Sequence, residues 1–317
     1  MIILRHTDDV PARYRGGIVA IGNFDGVHRG HRAIIATAAA LARAEDRPFG
    51  ILTFEPHPRA AFQPDLAPFR LTPFRVKARL VEELGADFMF VQAFDLAYAQ
   101  TTSDAFIQHT LLEALDVRHI VIGHDYAFGR GRTGTPDSLR RAGAAHGFGV
   151  TELAAVIGPA GTAFSSTGAR DAIREGRCAD AHAILGRDWS VEGRVEHGEA
   201  RGRGIGFPTA NVHLTDSLRP RAGVYAVRAT IDDDPRVYPG VANCGTRPTF
   251  DGKGTVLEVH LFDLQENLYD RHLRVAFIHF LRDERKFDGI AALTRQIESD
   301  ASTARRILAE PAQTASV

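Results

Sequence analysis

The feature that most constrains this chain is a change of rhythm near Gly186. Before it, short apolar runs at residues 18–21, 50–54, 88–91, 118–122 and 149–153 alternate with amphipathic or alanine-rich stretches at 31–44, 74–84, 103–115, 136–146 and 167–185. Strands separated by helices imply a mainly parallel sheet with helices on both faces, an α/β domain. Ser103 ahead of Phe106, Leu111, Leu112 and Leu115 reads as an N-cap followed by an apolar stripe. After Gly186, strand-like runs at 191–197, 223–230, 236–243, 255–262 and 273–281 follow one another with Gly, Pro or Asp between them. Such a series predicts an antiparallel sheet or a small barrel. A last stretch with Ile290, Leu293, Ile297, Ala301, Ala304 and Leu308 on one face predicts a helix packed on that sheet, and the tail beyond Pro311 reads as frayed. The 317 residues therefore divide into two domains, 1–184 and 185–317, each long enough to bury a core.

Composition narrows the partners. With 38 Lys+Arg against 39 Asp+Glu, no basic footprint for nucleic acid or anionic lipid stands out. Cys178 and Cys244 lie far apart without metal-ligand or CxxC spacing, which fits a reducing compartment. The first ten residues include Arg5, His6, Asp8 and Asp9 and lack the apolar run of a signal peptide, so the chain reads as cytoplasmic.

Two segments carry chemistry. In the first, the strand at 18–21 runs into Gly22-Asn23-Phe24-Asp25-Gly26-Val27-His28-Arg29-Gly30-His31 just before a helix. A glycine-rich turn at a helix N-terminus presents backbone N–H groups to a phosphate, and His28 and His31 can face one side of it across the small Gly30. In a chain with 14 histidines, a His at a helix start also caps or packs, and spacing alone leaves both readings open. Two further strand ends carry Glu55-Pro56-His57-Pro58-Arg59 and the stretch from Gly123 to Arg132; strand ends are where parallel sheets bind ligands. Gly129, Gly131 and Gly134 match GxGxxG but follow the fourth of these runs, not the first, so they are no dinucleotide fingerprint. Ser165-Ser166-Thr167 ahead of Arg170 reads either as hydroxyls and a cation for phosphate or as an ordinary cap.

The second segment is Gly202-Arg203-Gly204-Ile205-Gly206-Phe207-Pro208-Thr209-Ala210-Asn211, a loop that lets backbone approach a triphosphate, or simply a glycine-rich hairpin. Thr209 and Asn211 offer neutral oxygens suited to Mg²⁺. In Leu257-Glu258-Val259-His260-Leu261, alternation sets Glu258 and His260 opposite the apolar face, leaving Glu258 either a solvated outer residue or a base. The acidic run 232–234 reads as a solvated turn and the charges after Phe280 as a solvated strand exit.

Taken in order, FDGVHRGH, EPHP, GHDYAFGRGR, SSTGAR, GFPTAN, GVYAV, NCGTRPTF, LEVHLFD and FLRDERKF resemble the bacterial bifunctional riboflavin kinase/FMN adenylyltransferase family, also called FAD synthetases. The resemblance spans nearly the whole chain and implies a Rossmann-like nucleotidyltransferase domain followed by a six-stranded antiparallel barrel with a terminal helix. It implies that ATP meets Gly22, Phe24, Asp25 and Gly30, that His28 and His31 stabilise its α-phosphate, and that Ser166, Thr167 and Arg170 hold phosphates. His57, Asp125, Tyr126 and Phe128 would meet the flavin. In the second domain Gly204, Gly206, Phe207, Pro208, Thr209 and Asn211 would bind ATP and flavin, Thr209 and Asn211 would hold Mg²⁺, and Glu258 would be the general base. The implied partners are ATP, riboflavin and FMN, with no nucleic acid, membrane or obligate protein partner. Two departures stand out: Ala169 and Cys244 occupy positions where the family has aliphatic residues, which predicts altered packing there. A nucleotidyltransferase for another phosphorylated acceptor would leave GFPTAN and Glu258 idle, and a nucleic-acid-binding barrel is disfavoured by the near-neutral charge.

Overall fold

Strands that are returned by helices pair in parallel, and the first half of the chain does so. The computed structural model describes residues 1–5, 10–159, 161–196, 206–214, 216–232, 234–249 and 252–309. One unit comprises Met1–Ala67 and Thr72–Ser165; the other comprises Pro68–Leu71 and the chain from Ser166 onward.

In the first unit β1 (Ile2–Leu4), β2 (Ile18–Ile21), β3 (Phe49–Glu55), β4 (Phe88–Ala93), β5 (His119–Gly123) and β6 (Gly149–Leu153) form a parallel sheet in the order β1-β4-β3-β2-β5-β6. The sequence pattern yields five of these; β1, three residues long, is too short to show a period. Both faces are covered by helices: α1 (Arg29–Ala44), α2 (Pro58–Phe62), α3 (Phe74–Glu83), α4 (Ser103–Ala105, continuing as a wider-turned helix over Phe106–Ala114) and α5 (Pro136–His146). Central β2 is buried throughout because Val19 and Ile21 pack with Phe106, Leu111 and Leu139, while Ile18 and Ala20 pack with Ile35, Ala38 and Leu80. The cap of α4 is Thr102 rather than Ser103: its hydroxyl accepts the Ala105 N–H at 3.2 Å. After β4 the chain crosses to the far side of β2, so the crevice between the C-terminal ends of β2 and β5 is the switch point where such sheets bind ligands.

The second unit begins with a helical pair. The stretch 167–185 is two helices, α6 (Ser166–Arg174) and α7 (Cys178–Leu185), because Gly176 between them takes a left-handed φ of 76°. Then β7 (Ser190–Glu196), β8 (Ala210–His213), β9 (Gly223–Ile231), β10 (Tyr238–Thr249), β11 (Gly252–Leu261) and β12 (His272–Arg282) close an antiparallel barrel in the order β10-β11-β8-β7-β12-β9. The strand absent from the sequence reading is β8, which begins in the last two residues of the GFPTAN segment and runs on to His213. Leu257, Val259 and Leu261 fill the barrel with Val212, Tyr225 and Val227, and Ala169, Ala172, Ile173, Ala181 and Leu185 of the helical pair join the same core. The compact units thus part before Ser166, ahead of the 184/185 boundary drawn from rhythm. Ala169 is fully buried in that core, and Cys244 is buried there too. The segment Pro68–Leu71 is stitched into this unit by its carbonyls: Phe69 O accepts Arg170 Nε at 2.9 Å, Arg70 O accepts Leu218 N at 2.8 Å and Leu71 O accepts Trp189 Nε1 at 3.0 Å.

Helix α8 (Ile290–Ala309) lays Ala304 and Leu308 on Ala226, Val241 and Phe262. Ile290, expected on that face, is 68% exposed. What fixes the helix is a bidentate pair between Arg282 at the end of β12 and the buried Asp300, with NH2 to Oδ2 at 2.7 Å. The charges after Phe280 are therefore not merely solvated: Asp283 also pairs with Arg221 at 2.8 Å. In the acidic turn, Asp232 pairs with Arg271 and Asp234 with Arg236, while Asp233 lies outside the described residues, as does the tail beyond Pro311.

Candidate functional site

The turn after β2 is built on uncommon backbone. Phe24, Gly26 and Val27 have φ of 49°, 88° and 41°, and a β-branched residue in the left-handed region persists only where its surroundings hold it. Asp25, read above as a phosphate contact, does the holding: it is 3% exposed, and its Oδ1 accepts Thr72 N at 3.0 Å and Thr72 Oγ1 at 3.2 Å. Thr72 Oγ1 in turn accepts Gly26 N at 2.9 Å.

The turn delivers His28 and His31 as a stacked pair with ring centroids 3.6 Å apart. His28 combines both readings of the sequence, because it caps α1, its Nδ1 accepting the His31 N–H at 3.3 Å. An Nδ1 that accepts carries no proton, so the neutral ring keeps its N–H on Nε2 as a donor. A Cβ on Gly30 would lie 3.1 Å from the His28 ring, so bulk there would press on this packing. The stack thus offers imidazole donors beside a helix N-terminus, a suitable place for charge on a phosphate.

At other strand ends of the same unit, His57 caps the short α2 by accepting Arg59 N at 3.1 Å. Asp125 is exposed in the turn after β5. The stretch carrying GxGxxG is closed on itself by paired hydrogen bonds between Phe128 and Gly134, which is a loop rather than a dinucleotide cradle. Tyr126 stacks on Phe128 at 5.6 Å, and edge contacts continue through Phe106, Phe54, Phe94 and Tyr98. The run ends at Phe62, in contact with Phe94 at 5.8 Å and 58% exposed. Sequence reasoning missed Phe62, Phe94 and Tyr98; the only signal was an excess of aromatics at successive strand ends. Burial pushes the Tyr98 phenol up to about 12 and the Tyr126 phenol higher, so both remain neutral at physiological pH.

Ser166, Thr167 and Arg170 open α6 and belong to the second unit. Arg170 is 8% exposed, and its guanidinium lies 5.4 Å from the Phe69 ring centre, in addition to its bond to the Phe69 carbonyl.

On the barrel, register assembles the second site. Glu258 of β11 stands opposite Asn211 of β8 on one side and Asn243 of β10 on the other, and Asn211 stands opposite Glu196 of β7. Four strands therefore contribute one polar row to the outer face while Leu257 and Val259 point inward. Asn243 donates to Glu284 at 3.3 Å, and Glu284 Oε1 would be 2.5 Å from a Cβ on Gly245, so that glycine makes room for the carboxylate. His260 shares the outer face with Glu258 and reaches the incoming segment: its ring nitrogen Nδ1 donates to Pro208 O at 2.9 Å and its ring meets Phe207 at 5.4 Å. Gly206, Phe207, Pro208, Thr209 and Asn211 are thereby led into β8 beside Glu258; Gly204 lies outside the described residues. Among the described residues no three His, Cys, Asp or Glu gather as a metal site, and the candidate cation ligands are the hydroxyl of Thr209 and the amide oxygen of Asn211. These hard neutral donors suit an ion that takes most of its remaining ligands from phosphate and water. No helix among the described residues is long and apolar enough to cross a membrane.

Comparison with known proteins gives matches over both halves. Residues 10–168 match the family model for FAD synthetase and residues 185–308 that for riboflavin kinase. The chain is 41% identical over 304 residues to a bifunctional riboflavin kinase/FMN adenylyltransferase of Escherichia coli K12, covering 95% of this chain and 96% of that one. It is 38% identical over 299 residues to the Bacillus subtilis protein of the same description, covering 91% and 92%. A crystal structure described as a macrolide-efflux protein from Streptococcus pneumoniae superposes with a TM-score of 0.86 at 30% identity, over 96% of this chain and 99% of that one.

Proposed function

We propose a division of labour for this chain, which belongs to the bifunctional riboflavin kinase/FMN adenylyltransferase family. Its C-terminal part phosphorylates riboflavin to FMN with ATP, and its N-terminal part adenylylates FMN to FAD with release of pyrophosphate. We assign the two activities to residues 1–184 and 185–317.

In the kinase, Glu258 takes the proton from the terminal ribityl hydroxyl as it attacks the γ-phosphate of ATP. Asn211 and Asn243, its neighbours in register, orient donors and acceptors around the reacting oxygens. The Gly206–Pro208 segment, held by His260, brings backbone to the phosphates. Thr209 and Asn211 would hold Mg²⁺, which when bound neutralises the phosphate oxygens.

In the adenylyltransferase the nucleophile is the FMN phosphate, already an anion, so no covalent enzyme intermediate is required. The work is positioning and charge stabilisation. The N–H groups opening α1 and the donors of His28 and His31 meet the α-phosphate, with Gly22 and Phe24 shaping the turn. Phe62, which is exposed, and Tyr126, stacked on the buried Phe128, offer apolar contact to the flavin, and His57 and Asp125 mark its polar edge. Ser166, Thr167 and Arg170 supply further phosphate contacts in this reading. We place the chain in the cytoplasm, in keeping with its two free cysteines.

The observation that carries the reading is the register of Glu258 with Asn211: a carboxylate on the outer face of β11 stands beside the very segment that carries the phosphate motif. The test is to incubate the protein with riboflavin, ATP and Mg²⁺ and separate the flavins over time. FMN should appear first and FAD after it, and a chelator should stop the first step. Riboflavin left unchanged by the intact protein would overturn the reading.

A further inference from the structure

We infer that Lys77 is a positioning residue for adenylyl transfer, tying the histidine-bearing turn after β2 to the end of β3 so that His28 and His31 stand where the α-phosphate needs them. This rests on the reading above that those histidines act on that phosphate.

Lys77 lies on the amphipathic α3, where a lysine normally snorkels to water, yet its side chain is 1% exposed. A buried ammonium persists only if it is paired and its donors are used. Both conditions hold. Nζ is 3.1 Å from Glu55 Oε1, 3.1 Å from Thr53 Oγ1 and 3.2 Å from Asn23 O, so the three N–H donors have three acceptors. Thr53 passes the bond on, its hydroxyl donating to the same Asn23 carbonyl at 3.2 Å.

The placement of these acceptors matters more than their number. A lysine serving only stability needs a counter-ion, which Glu55 supplies. The other two bonds converge, directly and through Thr53, on the second residue of the turn that leads to His28. Asn23 immediately precedes Phe24, Gly26 and Val27 with their left-handed φ angles, and on the far side of that strained stretch Thr72 grips Asp25 and Gly26. Lys77 and Thr72 are thus two anchors of one turn. Glu55 also opens the Glu55-Pro56-His57 segment, so a single ammonium holds both strand-end segments. Without it, Asn23 O keeps only the Thr53 hydroxyl and the strained residues lose one of the contacts that over-determine them.

The test uses the full-length chain. Lys77→Met alone removes one charge of the Lys77–Glu55 pair and unbalances the unit, so Lys77→Met/Glu55→Gln, which removes both charges, is the informative variant, compared with Glu55→Gln alone. Riboflavin phosphorylation by the same molecules serves as the internal control. The expected result is unchanged phosphorylation, thermal unfolding close to that of Glu55→Gln, and a kcat for FAD formation lowered about 10- to 100-fold, as displaced catalytic groups cost. The KM values for ATP and FMN should move little, because an interaction realised only in the transition state lowers kcat and kcat/KM together. A double variant with wild-type kcat would overturn the inference, as would an equal loss of both activities, which would make Lys77 a residue of stability alone. His31→Ala is run in parallel: wild-type FAD formation by that variant would overturn the reading of the turn itself, and the inference with it.

Discussion

The turn from Gly22 to His31 is held by side chains that come from far along the chain, whereas the polar row of Asn211, Glu258 and Asn243 lies within paired strands and is held by the backbone ladder. In the parallel sheet, the proposed catalytic histidines stand beyond the strand ends, where no ladder continues, and Thr72, Thr53 and Lys77 supply the bracing. In the barrel, Asn211, Glu258 and Asn243 are on strands, and pairing with both neighbours fixes each Cα before any side chain is chosen. A loop site gains freedom to adopt unusual backbone; a ladder site gains tolerance, since few of its side chains are needed to hold the others.

The largest effect is expected at Glu258. Glu258→Gln keeps shape and loses basicity, and FMN formation should fall by about 10²- to 10⁴-fold, the range for a positioned general base. The same variant supplied with FMN should still make FAD, measured by chromatography of the flavins. Wild-type phosphorylation would exclude the base role and turn attention to His260 and Asp263. Next in size, His28→Ala or His31→Ala should remove about 3 kcal/mol of transition-state stabilisation, as loss of one preorganised donor does. FMN should then accumulate from riboflavin without passing on to FAD; parallel loss of both products would point to misfolding. The contrast in bracing is tested by Thr72→Val against Asn243→Ala. The first removes the hydroxyl that accepts Gly26 N and donates to Asp25, both buried bonds, and should lower unfolding stability by about 1–3 kcal/mol. The second removes an exposed bond to Glu284 and should change stability by less than about 0.5 kcal/mol, both read from denaturant unfolding.

The smallest effect is expected at the cysteines. Burial pushes the Cys178 and Cys244 thiols up to about 12 from an ordinary 9.0, with a smaller push from Asp188 and Glu284 respectively. Neither should react with iodoacetamide at pH 8 until the protein is unfolded. Because the folded values are raised, their contribution to stability is complete below about pH 9 and declines as pH rises toward about 12. Rapid alkylation of the native protein would contradict this burial.

Periodicity made much of this legible. Leu257, Val259 and Leu261 alternate with Glu258 and His260, so the inward and outward faces of β11 could be read without a structure. The spacing of His28 and His31 likewise allowed both rings to face one side of the turn, where the structure stacks them. What stayed hidden depends on distant partners. Ala210–His213 is too short to read as a strand and becomes one only by pairing with β11 and β7. The bracing role of Asp25 was hidden because its partner Thr72 is 47 residues away. Lys77 looks like a surface residue because Asn23 and Thr53 are 54 and 24 residues away. The break of 167–185 at Gly176 was visible in principle, as a glycine within a helical run, but alanine-rich flanks masked it.

The strap formed by Phe69, Arg70 and Leu71 bears on how the gene can be cut. Its three carbonyls receive Arg170, Leu218 and Trp189, so the barrel unit is not one continuous stretch of sequence. During synthesis the strap leaves the ribosome about a hundred residues before the helices and strands it serves, and must wait for them. A kinase gene that begins at codon 166 encodes a barrel with those donors facing water. One that begins at codon 185 also forfeits the apolar cover of Ala169, Ala172, Ile173 and Ala181. Excising the kinase for separate use therefore means grafting the three-residue strap back, as a fused linker or a peptide added in trans, rather than choosing a better cut site.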